Sequence, residues 1–143
     1  MQIDKGRVAR YLYDISSNTK DIESLVTDYT ESKIINEKHL LKSLKYSLVE
    51  ISEAMSLVLQ HILAKHYSIP AKGYVDTIKQ AANAGIIPQK LSLSLKPFFD
   101  FRNSLVHRYW AVDDKILLNN SKAGITDFSA FVETIERFLE RIQ

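Results

Sequence analysis

Apolar side chains recur along this chain in steps of three and four, the spacing that turns one face of an α-helix toward a core. In the first segment Val8, Leu12, Ile15, Ile22, Val26 and Tyr29 form such a stripe, with Thr19 as its polar interruption. The most regular stripe is Leu41, Leu44, Leu48, Ile51, Met55, Val58 and Ile62, about six turns long. Ser68-Ile-Pro-Ala-Lys-Gly73 reads as a turn, and the short helix after it is stopped by Gly85 and sealed off by Pro88. Leu91-Ser-Leu-Ser-Leu95 alternates with period two, but it is too short to outweigh its helical surroundings and is read as helix. A further helix is expected over 97–110, with Pro97 in its first turn, where a missing N–H costs nothing. Gly124 is expected to separate a small helix from the last one. That last helix would be capped by Thr126 or Asp127 and turn Phe128, Val132, Ile135, Leu139 and Ile142 inward. Short connections between long helices make neighbours antiparallel, so the predicted fold is all-α, an up-and-down helical bundle.

Composition narrows this picture without changing it. A chain of 143 residues suits one domain, residues 1–143, large enough for its own core. Its 45% hydrophobic and 25% charged residues argue against disorder. The absence of cysteine removes disulfides, thiolate nucleophiles and thiolate metal sites, and fits a reducing compartment. The start, Met-Gln-Ile-Asp-Lys-Gly-Arg, has no apolar signal region, and no later run approaches membrane-spanning length. A soluble cytoplasmic protein without a membrane partner is the expectation. The net charge of +2, spread over interspersed acids and bases, gives no global field for nucleic acid. Contact with RNA would need a local patch.

One oddity stands out. Leu91, Leu95, Phe98, Leu105 and Tyr109 follow a stripe in which Arg102 occupies the slot between Phe98 and Leu105. An arginine there is costly unless its charge is paired or opens into a cleft. It could snorkel to water, pair with a carboxylate, or serve a site. His107 lies five residues on, about 140° further around an ideal helix, on a polar line with Asp100 and Asn103. One helix does not readily aim Arg102 and His107 at the same atom. Either its last turn unwinds, or two copies meet across a two-fold axis and pool their residues. Tyr109, two turns from Arg102, can open into the same cleft. His39, His61 and His66 lack ligand-type partners at helical spacing and suit surface or cap roles. Glu50 and Glu53 flank the apolar stripe of their helix, and either could be solvated or pair with Arg102. Gly6, Gly73, Gly85 and Gly124 form no phosphate loop, and no serine-nucleophile motif is present.

Arg102-Asn-Ser-Leu-Val-His107-Arg-Tyr109 resembles the Arg-x4-His-x-Tyr signature of HEPN-type toxins, specifically the HepT-like group. Residues 48–63, Leu-Val-Glu-Ile-Ser-Glu-Ala-Met-Ser-Leu-Val-Leu-Gln-His-Ile-Leu, resemble the long helix that precedes the motif there. Ala81-Ala-Asn-Ala-Gly-Ile-Ile-Pro88 resembles the family's turn, and the text from Pro97 to Trp110 is similar throughout. The likeness spans roughly residues 40–142; the first helix is generic. There is one departure: apolar Leu57 stands where many relatives carry an acidic residue. Glu53, one turn earlier, matches a family glutamate that could orient Arg102.

This resemblance implies a homodimeric, metal-independent endoribonuclease without a cofactor, the toxin of a toxin–antitoxin pair. Arg102 and His107 would be catalytic. His107 would act as base on a ribose 2′-hydroxyl or as acid to the leaving 5′-oxygen. Arg102 would hold the phosphate as charge builds. Asn103 and Glu53 would be auxiliary, and Tyr109 and Trp110 offer flat faces to a base, Trp110 being equally suited to the core. Relatives are commonly encoded beside a minimal nucleotidyltransferase antitoxin that adenylylates the motif tyrosine, here Tyr109. The alternatives are a non-catalytic helical module that docks a nucleotidyltransferase, and a purely structural helical dimer.

Overall fold

The computed structural model describes residues 2–106 and 113–142. Within them six helices follow one another: α1 (Lys5–Asp28), α2 (Glu31–Asn36), α3 (Lys38–Tyr67), α4 (Gly73–Asn83), α5 (Gln89–Val106) and α6 (Asp114–Arg141). One continuous apolar cluster draws side chains from all six. The longest helix, α3, is packed by α1, α2, α4, α5 and α6, and α4 lies along α5. By length and composition alone α3 could cross a membrane, but two thirds of its most apolar stretch is buried inside this bundle. It is the central core helix.

Local chemistry explains the boundaries. Asp4 caps α1 by accepting the Arg7 N–H at 3.0 Å, which holds its carboxyl below the usual carboxylate range. Thr30 does the same for α2, accepting from Lys33 N at 3.2 Å. At the end of α4, Gly85 takes φ +80°. Its N–H reaches Ala82 O at 3.1 Å while Ile86 N–H reaches Ala81 O at 3.0 Å, a Schellman closure of the kind that favours glycine.

The stripes hold in the main, with instructive differences. In α1, Val8, Leu12, Ile15, Thr19, Ile22 and Leu25 are buried. Thr19 is thus part of the core face, its hydroxyl donating to Ile15 O at 2.6 Å, which removes the cost of burying it. Leu25 replaces the expected Val26 and Tyr29. Val26 is half-buried, and Tyr29 is exposed just past the helix end. In α3 the stripe from Leu44 to Ile62 is buried, and Leu41 is half-buried.

Two helix boundaries differ from expectation. Pro97 does not open a helix; α5 starts at Gln89 and carries Pro97 in its interior. Proline there removes a bond to the carbonyl of Leu93, but Leu93 and Pro97 both face solvent, where water can serve that carbonyl. Gly124 likewise ends nothing. The last helix runs unbroken from Asp114 to Arg141, capped by Asp113, which accepts from Lys115 N at 2.8 Å and Ile116 N at 3.3 Å. Gly124 is buried because α5 and α6 approach closely: a Cβ there would stand 2.6 Å from Phe98 Cζ and 3.1 Å from Phe128 Cζ. Thr126 and Asp127 are mid-helix residues. The buried face of α6 includes Phe128, Phe131, Ile135 and Phe138, while Val132, Leu139 and Ile142 are only partly covered.

His61 has a structural role. Its Nε2 accepts the N–H of Asp4 at 2.9 Å, tying the start of α1 to α3. That bond needs the neutral ring. Partial burial, with Arg7 adding to it, holds the His61 pKa below its ordinary value, although Asp4 pulls the other way. The unfolded chain therefore takes up this proton first, near pH 6.5. The stability His61 contributes is complete above that pH and is lost as pH falls below it. Urea unfolding from pH 8 to 5 should show this decline in the wild type. His61→Gln, which accepts without titrating, should flatten it; equal slopes in the two proteins would contradict the assignment.

Candidate functional site

The arginine on the apolar stripe is met by two partners from other helices. Glu53 projects from the middle of α3, Tyr74 from the first turn of α4, and Arg102 from the last part of α5. Arg102 Nε donates to Glu53 Oε2 at 2.9 Å. The Tyr74 hydroxyl donates to the same oxygen at 2.8 Å. The guanidinium carbon lies 4.9 Å from the centroid of the Tyr74 ring, within cation–π range. Side-chain exposures of 23% for Arg102 and 37% for Glu53 place the pair at a surface that water or a ligand can reach. Arg102 is thus paired rather than snorkelling. Among the described residues, its hydrogen bond to Glu53 uses Nε, and the two Nη nitrogens have no protein acceptor.

Tyr74 owes its place to the turn before it. Gly73 has φ +84°, which an L side chain resists, and this backbone leads directly into α4. Burial first, then the hydrogen bond and charge of Glu53, push the Tyr74 phenol above its ordinary pKa, with Arg102 opposing. The phenol is therefore a donor at neutral pH. Further along the α3–α4 contact, Gln60 Nε2 donates to Ser56 Oγ at 3.0 Å and to Thr77 Oγ1 at 3.5 Å. Thr77 in turn donates to Gly73 O at 2.6 Å. A polar seam thus runs beside the Glu53 cluster.

The other sequence candidates fall as follows. Glu50 does not pair with Arg102, whose carboxylate partner is Glu53; its charge instead acts on Tyr46, whose phenol it raises above its ordinary pKa. Leu57 is partly buried one turn past Glu53. Asn103 is partly buried beside Arg102, and Ser104 donates to Phe101 O at 2.7 Å. Asp100 is engaged by Lys96 at 2.8 Å. His39 is exposed, and His66 packs edge-on against Tyr67 and Phe138 at 4.8 and 5.8 Å. His107, Arg108, Tyr109 and Trp110 lie outside the described residues. Tyr74 was not among the sequence candidates. It sits 21 residues from Glu53 and carries no periodic signal; the only hint was an aromatic placed directly after a turn glycine.

Comparison with known proteins bears on this arrangement. A candidate RNase of Methanocaldococcus jannaschii is 24% identical over 136 residues, covering 92% of this chain and 93% of that protein. Among solved structures, a tri-AMPylated HEPN toxin of Shewanella oneidensis, in complex with MNT antitoxin, superposes with a TM-score of 0.82. It shares 22% identity and covers 92% of this chain and 97% of its own. YutE, a cytosolic protein of Bacillus subtilis of unknown function, superposes with a TM-score of 0.83 at 17% identity, over 97% of this chain and 92% of its own. At these identities the two structures speak for the helical fold, which is that of HEPN toxins. The family model described as ribonuclease HepT-like matches residues 15–135, a span that takes in Glu53, Tyr74 and Arg102, and the chain belongs to that family.

Proposed function

We propose that this protein is the toxin of a toxin–antitoxin pair, an endoribonuclease that needs no metal ion and works as a homodimer. The observation that carries the reading is Arg102 set at a solvent-reachable edge, anchored through Nε and with both Nη nitrogens uncommitted among the described residues. A guanidinium held in this way can take a phosphate by its Nη edge while charge builds in the transition state. His107, five positions on, supplies a group that titrates near neutrality. As base it removes the proton of a ribose 2′-hydroxyl; the oxygen attacks phosphorus, the bond to the 5′-oxygen breaks, and that oxygen takes up a proton. The site is composite: each protomer contributes Arg102 and His107 across a two-fold axis. Glu53 orients Arg102, and Asn103 binds phosphate or fixes the histidine ring.

The partner is a minimal nucleotidyltransferase antitoxin that adenylylates Tyr109. An AMP group there brings bulk and a negative charge that compete with RNA for Arg102. The Shewanella toxin, which is AMPylated and complexed with MNT antitoxin, supports this assignment. A non-catalytic docking module is favoured only by the fact that the arginine already has a carboxylate partner.

A cleavage assay tests the reading. Purified protein should cut RNA equally with and without EDTA, leaving 2′,3′-cyclic phosphate ends. Co-expression with a cognate minimal nucleotidyltransferase should silence it, adding AMP mass to the wild type and none to Tyr109→Phe. Cleavage abolished by EDTA would refute metal independence. No cleavage under any condition would leave the docking module.

A further inference from the structure

Tyr74 belongs to no sequence motif, yet it makes two separate contacts with the Arg102–Glu53 pair. Its hydroxyl fills a position on Glu53 Oε2, the oxygen that also accepts Arg102 Nε, at 2.8 and 2.9 Å. The guanidinium carbon lies over the Tyr74 ring, 4.9 Å from the centroid. These contacts have a chemical consequence. An arginine and a carboxylate left to themselves favour the forked arrangement, with two parallel N–H···O bonds that draw in an Nη as well as Nε. A forked Arg102 would have one Nη fewer for a phosphate. A carboxylate whose Oε2 is pinned by a phenol, facing a guanidinium whose rotation is limited by an aromatic ring, is kept in the single-bonded arrangement seen here.

We propose that Tyr74 is a positioning residue: acting through Glu53, it keeps Arg102 anchored by Nε alone and reserves both Nη nitrogens for the phosphate of RNA. This rests on the ribonuclease reading above. The residue touches no reacting atom. Its effect belongs to transition-state stabilisation rather than to RNA binding, so it is expressed in kcat more than in KM.

The test uses the full-length protein. Tyr74→Phe keeps the ring and removes the hydroxyl, and is expected to lower kcat about tenfold with KM for RNA within a factor of about two, consistent with losing one hydrogen bond to a charged group. In a Glu53→Ala background the same change should add less than about twofold, because the acceptor it acts through is gone. A readout independent of cleavage is the Nε–H resonance of Arg102 in 15N-labelled protein, assigned by its loss in Arg102→Lys. It should shift on Tyr74→Phe in the wild-type background and not in Glu53→Ala. Unchanged kcat together with an unmoved resonance overturns the proposal, as does an effect fully additive with Glu53→Ala. Should the wild type fail to cut RNA, the ribonuclease reading falls. The resonance then decides alone: a shift supports positioning by Tyr74, and no shift overturns it.

Discussion

RNA cleavage by His107→Ala is expected to fall about 10²–10⁴-fold, the usual loss when a general acid or base is removed. Arg102→Ala should fall about 10²–10³-fold, as befits a missing transition-state donor. Both should appear as lower kcat in single-turnover assays with excess protein over RNA, and both variants should retain the helical circular dichroism of the wild type. Mixing the two inactive chains gives a sharper result. If each site draws Arg102 from one protomer and His107 from the other, a heterodimer rebuilds one intact site of two, and activity should return well above either variant alone. Continued inactivity of a verified heterodimer would place both residues of a site on one chain. Undiminished cleavage by His107→Ala would mean the chemistry lies elsewhere.

Phe128→Ala should be among the most destabilising single changes in the bundle. The side chain is fully buried, and its ring meets Phe98 edge-on with centroids 4.7 Å apart and planes at 65°. Truncating a buried phenylalanine costs about 3–5 kcal/mol through lost burial and the cavity left behind, a large part of the roughly 5–15 kcal/mol that a domain has in total. At this chain length Tm moves roughly 2–4 °C per kcal/mol, so calorimetry should record a fall of roughly 6–20 °C. A fall below about 2 °C would show that the α5–α6 contact contributes little to the core.

The helical class, the core stripe of α3 and the turn around Ser68–Gly73 were legible because period and punctuation are local properties. The breaks were not. Gly124 reads as a stop in sequence because glycine is a poor helix former, whereas the bundle uses it for the close approach of Phe98 and Phe128. Pro97 reads as a start, whereas its solvent-facing position makes an interior proline tolerable. Membership of the α6 core was misread in part for another reason: from Phe128 and Ile135 the steps of three and four lead equally to Val132 and Leu139 or to Phe131 and Phe138, and docking against the bundle buries the second pair. At the site, Arg102 was visible as a charge on an apolar stripe and Glu53 as one of two glutamates able to pair with it, with the family resemblance favouring Glu53. Tyr74 was hidden, because a hydrogen bond between α4 and α3 depends on how two helices are docked, and spacing along one helix carries no record of that.

The close approach at Gly124 also limits how this protein can be engineered. Replacing a helical glycine by alanine is a routine way to raise thermal stability, with a gain of about 1 kcal/mol from helix propensity. Here the added methyl would meet the Phe98 ring at 2.6 Å, and that ring is 3% exposed with little room to retreat. Phe98 stands one helical turn before Arg102 on α5, so relief of the collision passes into the segment that presents the arginine. A variant changed at this position would lose the propensity gain to that collision and disturb the segment that carries Arg102, so a thermostability campaign on this scaffold does better to leave residue 124 alone.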